Sequence, residues 1–401
     1  MSMHRFRSVV RVTATLGVVL VLASGGVGLT AQQSDLGPTA NVPALSAPFK
    51  TVNLSLMPRN QATVPFFSHG YFIQFKRRTT SAGESNIFLF DSYGQFAHEV
   101  AVRPDGATSM FLTSVDVGAD GQLAFAGQAR LETGRPLLFI ATSDLDGKHP
   151  SYIDTGDYRA SQIAVADNGS IWAIGAERPE ISQDQATGAN VRKWQNYDML
   201  RHYSSTGVLL EHFLPRWEAR VAHFSATQDN AGHTVWAAYD AHGRRTATDL
   251  GDRKWSNEDA WQSSEEVFLR FNNGRLVFFG GANNQLYIHD NNTGTVLPFS
   301  LVHKLPTSMR TTGLAVTGLG QIYVSMISNP MMARQTTLFC VMSVTSGGVL
   351  TARKVFSAGA GSSKDSLTLL LGADGDNVVY RAPLNTDQSS VDWSTTTPST
   401  N

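Results

Sequence analysis

Apolar and polar residues alternate along most of this chain in runs of four to six, each ended by Gly, Asn or Asp. Period-two alternation bounded by turn formers predicts β-strands, and no stretch repeats its apolar residues at the helical interval of about 3.6. One phrase recurs: an apolar run, a Gly/Asp/Asn turn, a second apolar run. It stands as Ser114-Val-Asp-Val-Gly-Ala-Asp-Gly-Gln-Leu-Ala-Phe-Ala-Gly127, as Gln162-Ile-Ala-Val-Ala-Asp-Asn-Gly-Ser-Ile-Trp-Ala-Ile-Gly175, and as Gly313-Leu-Ala-Val-Thr-Gly-Leu-Gly-Gln-Ile-Tyr-Val-Ser325.

Such hairpins begin near Val64, Leu112, Ser161, Ala222, Val267, Gly313 and Leu367, most of them followed by an outer pair such as Ile87–Phe96, Leu138–Gly147 or Leu338–Gly347. A repeat of about 45–60 residues suits four-stranded blades, so the expected fold is all-β, a β-propeller of six or seven blades. The last unit, Leu367–Arg381, is short of strands, and Phe49–Leu56 is expected to pair with it and close the ring. Blade number turns on residues 265–300, which read either as a compact blade or, in their first half, as the outer pair of a blade begun near Ala222. The second reading draws on a duplicated segment: Arg192-Lys-Trp-Gln-Asn-Tyr-Asp198 and Arg253-Lys-Trp-Ser-Asn-Glu-Asp259 agree at five of seven positions, each before a strand.

The pattern resembles that of secreted bacterial β-propellers of the broad six- to seven-bladed kind, including the NHL-like and gluconolactonase-like groups, over nearly the whole chain after its leader. The resemblance rests on generic blade phrases such as Asp167-Asn-Gly-Ser-Ile-Trp172 and implies the fold alone. The Gly-His and Trp-Asp dipeptides of WD-type repeats do not recur in register.

Arg5, Arg7 and Arg11 precede an apolar stretch from Val12 to Ala23 and small residues up to Ala31, the layout of a secretory signal. The expected organisation is therefore a signal peptide over 1–31, a flexible spacer over 32–47, the propeller over 48–385 and a disordered Ser/Thr-rich tail over 386–401. Export to the periplasm or the extracellular space follows, with no stable membrane insertion after cleavage. Loss of 1–31 removes three of the 32 basic residues and none of the 33 acidic ones, leaving a net charge of about −4, a balance that argues against nucleic-acid binding. The single cysteine, Cys340, sits in a strand-like run and reads as core.

Under the duplicated-blade reading, two insertions, about 177–196 and 240–263, are loops between second and third strands on one face of the disc. Together with the connection 212–221 they gather the candidate ligand-binding residues Arg192, Trp194, Arg216, Trp217, Arg253 and Trp255. Trp faces stack on sugar rings or peptide aromatics, and Arg forks hold carboxylates or phosphates. Packing of those loops onto the disc is the competing account. The acids Asp249, Asp252, Glu258 and Asp259 lack the spacing of a calcium loop, and the ten histidines of the body show no paired metal-ligand spacing. No cofactor is expected beyond a weak case for Ca²⁺. No catalytic motif appears, so the expected function is a binding or scaffolding module for a glycan or peptide. The alternative is a propeller enzyme (lactonase, hydrolase or lyase), metal-dependent or not, with its site at the central channel.

Overall fold

The long strands are apolar on both faces because both are covered. In the strand Leu123–Leu131, Leu123 and Phe125 pack to one side with Ile73 and Ile87, whereas Ala124 and Ala126 pack to the other with Ile163 and Ala173. Burial on both sides of every sheet is what a ring of radially stacked blades demands, and it leaves few polar positions in the inner strands. The computed structural model describes residues 42–54, 63–177, 180–183, 190–193, 200–213, 223–228, 234–239, 245–247, 268–280, 285–290, 295–300, 309–328, 335–344, 350–361, 367–375, 377–383 and 390–396. Among them the only regular structure is antiparallel sheet.

Six blades form the ring, each built on four strands, with the short strand Arg78–Thr79 added as a fifth to the sheet of blade 2. Blade 1 is Phe66–Ser68, Tyr71–Phe75, Ile87–Asp91 and Phe96–Val100; blade 2 is Ala107–Val117, Leu123–Leu131, Pro136–Ser143 and Ser151–Asp154. Blade 3 is Tyr158–Val165, Ile171–Glu177, Leu200–Tyr203 and Leu209–Phe213; blade 4 is Leu269–Asn272, Arg275–Gly280, Gln285–Asp290 and Thr295–Ser300. Blade 5 is Met309–Val316, Gln321–Ser328, Gln335–Val344 and Leu350–Gly361. Blade 6 takes Thr368–Asp374, Val378–Pro383 and Ser390–Thr395 from the C-terminal part of the chain and Lys50–Asn53 from the N-terminal part, with Lys50 opposite Trp393. Six apolar clusters join the blades pairwise: 1 to 2, 2 to 3, 3 to 4, 4 to 5, 5 to 6, and 6 back to 1. Trp172 lies in the third of these interfaces and Cys340 in the fourth, both fully buried.

The structure decides one open reading and changes two expectations. Residues 265–300 form the compact blade, not the outer half of a preceding one. The Asn273-Gly274 turn, with φ of 51° and 68°, folds Leu269–Asn272 back onto Arg275–Gly280. Successive positive φ values are what a two-residue hairpin needs, and Asn-Gly supplies them at little cost. The unit begun near Ala222 is not a ring blade: His223–Gln228, Thr234–Tyr239 and Arg245–Ala247 form a separate sheet with the hairpin Glu180–Gln183/Asn190–Lys193. Blade 3 meets blade 4 directly, since Gln162 Oε1 accepts from Leu269 N–H at 3.0 Å and Asp167 Oδ2 from Gly274 N–H at 3.1 Å.

Third, both terminal boundaries move. The Ser/Thr-rich segment supplies a strand because Val391 and Trp393 alternate within it; Val391 is buried, and Trp393 sits 5.3 Å from Tyr380 and 6.2 Å from Phe49, ring to ring. At the other end Leu45 is buried and donates its N–H to Ser357 O at 3.0 Å, so the spacer is bound to the disc before residue 48. In the basic run Lys76-Arg77-Arg78 the Arg77 and Arg78 side chains are exposed, while the backbone of Arg78 and Thr79 pairs with Phe111 and Met110 of blade 2.

Candidate functional site

The residues singled out from the sequence cluster in chain position, though not as adjacent blade loops. Arg192 lies on the strand Asn190–Lys193, opposite Ile181 on one side and Phe224 on the other. Trp194, Arg216, Trp217, Arg253 and Trp255 lie outside the described residues. In sequence, Trp194 follows that strand directly, Arg216 and Trp217 precede His223–Gln228, and Arg253 and Trp255 follow Arg245–Ala247. The first insertion does join the second and third strands of blade 3. The second does not, because the chain it precedes is the innermost strand of blade 4.

A second site, not foreseen from the sequence, lies on the axis of the ring. Counting back from the residue that closes the first hairpin of each blade (Ser68, Gly118, Ala166, Asn272, Thr317 and Asp374), the third residue is Phe66, Asp116, Ala164, Arg270, Ala315 and Gly372 in blades 1 to 6. Three of these carry at most a methyl group. The guanidinium of Arg270 lies over the Phe66 ring, 4.8 Å from its centroid. Blades 1 and 4 are opposite one another in a ring of six, so this contact crosses the axis. Arg270 Nη1 donates to its neighbour's carbonyl, Leu269 O, at 2.8 Å, and its Nε is buried with no partner among the described residues.

Asp116 stands at the same level. Its Oδ2 accepts from Val165 N–H at 2.9 Å, tying the free edge of blade 3's inner strand to blade 2, while its Oδ1 is buried without a partner among the described residues. Burial lowers the Arg270 pKa and the Asp116 carboxylate works against that fall; an arginine keeps its charge through such a shift. Aligning the phrases by their turns would have exposed this column, because Asp116 occupies the place where two other copies carry Ala164 and Ala315.

A titratable stack seals blade 3 against blade 4. The His202 ring lies flat on Trp172, centroids 4.0 Å apart and planes 5° apart, and Trp172 meets His289 of blade 4 at 4.8 Å. Ser170 donates its hydroxyl to Asn168 Oδ1 at 2.6 Å and so offers a lone pair to His202 Nε2, 2.7 Å away. The ring hydrogen then resides on Nε2, and Nδ1 faces Glu211 Oε2 across 3.6 Å. Burial lowers the His202 pKa, Glu211 opposes the shift, and His289 adds to it.

A base with a lowered folded pKa takes its proton more readily when unfolded, so its stabilising effect is complete above the unfolded value of about 6.5 and is lost as pH falls below it. The melting midpoint is therefore expected to drop between pH 7 and pH 5. Glu211→Gln should steepen that drop, since the carboxylate is what holds the pKa up. Melts of both proteins across this range check it, and an unchanged slope in E211Q would remove Glu211 from the account.

Among the described residues no group of three or more His, Cys, Asp or Glu side chains is placed to hold a metal ion, and no helix is long and apolar enough to cross a membrane. No family model and no curated protein sequence matches the chain. Solved structures similar to it include the β-propeller domain of the trilobed protease of Pyrococcus furiosus, at 11% identity over 84% of this chain and 92% of that one, TM-score 0.36. A Bacteroides fragilis protein provisionally called an exported protein is similar at 9% identity over 88% and 96%, TM-score 0.44. The soluble aldose sugar dehydrogenase of Escherichia coli is similar at 10% identity over 69% and 96%, TM-score 0.31. The class that the structure itself defines is the six-bladed β-propeller.

Proposed function

We propose that this protein is an exported β-propeller that acts as a binding module, its ligand a glycan or peptide gripped by Arg192, Trp194, Arg216, Trp217, Arg253 and Trp255. The observation that carries this reading is that Arg192 lies in, and the other five lie within eight residues in sequence of, the strands of a sheet separate from the ring blades. Each of the six apolar clusters among the described residues joins two neighbouring blades of the ring. Segments inserted between the blades of a rigid scaffold are where recognition tends to lie, and Trp with Arg is the composition that dominates binding energy at interfaces. Export rests on the N-terminal layout, Arg5 through Ala31.

The test is a screen of the mature chain against immobilised oligosaccharides and peptides, repeated with the double variant Trp194→Ala/Trp255→Ala. Wild type is expected to retain at least one class, and the double variant to bind it at least tenfold more weakly at an unchanged melting midpoint. Early unfolding of the double variant, or equal retention by both proteins, would assign the tryptophans to packing and overturn the reading.

A further inference from the structure

The axial ring is a second site, independent of the Trp/Arg segments, and its chemistry is narrow. Two opposite charges, Arg270 and Asp116, face the axis at one level, yet no ion pair within 4.0 Å joins them. Each retains a buried polar atom without a partner among the described residues, Arg270 Nε and Asp116 Oδ1. Leaving such atoms unpaired forfeits their hydration without replacing it, which is why buried polar groups are nearly always satisfied by something.

What fits follows from the geometry of the two groups. Phe66 covers a face of the guanidinium, and Nη1 is engaged with Leu269 O. The edge left over is Nε with Nη2, a side on which two parallel N–H bonds fork onto one carboxylate. The free Asp116 oxygen takes a donor, most favourably a positive one. Ala164, Ala315 and Gly372 stand in the other three places, so at this position the inner strands of blades 3, 5 and 6 carry no long side chain. A simple anion would pair with Arg270 but face Asp116 as a like charge, and a simple cation would meet the converse. A dipolar ion, carboxylate and ammonium a few ångströms apart, answers both charges and leaves the site neutral.

We propose that the axis of the ring at the level of Phe66, Asp116 and Arg270 binds a free α-amino acid, its carboxylate on the Arg270 fork and its ammonium on Asp116 Oδ1. The experiment is calorimetric titration of the mature protein with glycine, alanine and serine, against acetate, methylammonium and myo-inositol as single-charge and neutral controls. At least one amino acid is expected to bind saturably, at least tenfold more tightly than any control. Arg270→Met should abolish that binding, and Asp116→Asn should weaken it at least tenfold. Should R270M lose its cooperative melt, D116N carries the test alone, because its amide oxygen still accepts from Val165 N–H. Acetate binding as tightly as glycine would make this a plain anion site and overturn the proposal. So would inositol binding best, amino-acid binding unmoved by D116N, or no saturable heat from any amino acid, which would leave the axis to water. None of these outcomes bears on the tryptophan screen, so the two readings fail separately.

Discussion

Replacing Trp172 with alanine is expected to lower the unfolding free energy by about 3–5 kcal/mol, among the largest losses open to a single side chain in this fold. The indole is fully buried and is the largest buried side chain of the interface between blades 3 and 4, packed in one cluster with Ile174, Leu200, Leu269 and Phe271. Its face carries His202 and its edge reaches His289. Alanine would leave a cavity walled by two rigid sheets, a setting in which neighbours relax little and the cavity cost adds to the lost transfer energy. Denaturant unfolding measures the change, and the double variant Trp172→Ala/Phe271→Ala adds a sharper reading. Residues in contact couple by about 0.5–3 kcal/mol, whereas distant ones add. Additivity of W172A and F271A would mean that blades 3 and 4 do not meet, and the ring of six would have to be redrawn with the inserted sheet between them. The same substitution hydrates His202, so the acid limb of the stability curve should flatten in W172A.

Strand content was legible in the chain because every blade is covered on both sides, which makes runs such as Leu123-Ala-Phe-Ala126 and Ile171-Trp-Ala-Ile174 apolar at both parities. The starts of the inner hairpins were legible for a related reason: each ends in a Gly/Asn/Asp turn that forces local pairing, as at Asn273-Gly274. Which hairpins enter the ring was not legible. Ring membership is decided by contacts across blades, and the duplicated Arg-Lys-Trp segments carry no information about which sheet their neighbours join. Val391 and Trp393 show that a Ser/Thr-rich composition can conceal a period-two strand signal. The axial site was hidden for a topological reason. Aligning the phrases by their turns singles out Asp116, but Phe66, Asp116 and Arg270 are far apart in the chain and meet only because blade 1 stands opposite blade 4, which no local motif states.

Placing alanine at Gly175 is expected to cost about 3 kcal/mol or more, the upper end for overpacking, because the obstruction is backbone rather than a side chain that can turn away. An added Cβ would overlap the carbonyl oxygen of Arg159, with Arg159 C and Ala160 Cα at 2.8 and 2.9 Å. The cause is the register shift between Ala160 and Gln162, where one extra residue bends the inner strand toward its neighbour and leaves room only for hydrogen at the facing position. Blade 2 repeats the device. Its inner strand shifts register between Leu112 and Ser114, and a Cβ at Gly127 would overlap Phe111 O. Both glycines end the recurring phrase in the sequence, so Gly127→Ala should behave as Gly175→Ala does. In blade 5 the corresponding place is Met326, and a glycine stands on the inner strand instead, at Gly313. Gly134, with φ of +80° in an open turn and nothing within 4 Å, is the control: G134A meets only backbone strain, about 1–2 kcal/mol. Equilibrium unfolding of the three variants separates the effects, and a G175A midpoint above that of G134A would mean that the inner strand does not bend at Ser161. The bend also brings the inner strand of blade 3 to blade 2, where Thr113 Oγ1 donates to Ala160 O at 2.7 Å and Ser114 Oγ accepts from Ile163 N–H at 3.1 Å. A side chain at Gly175 would therefore loosen the same backbone that Asp116 holds through Val165, so its cost should appear both in the melt and as weaker amino-acid binding at the axis.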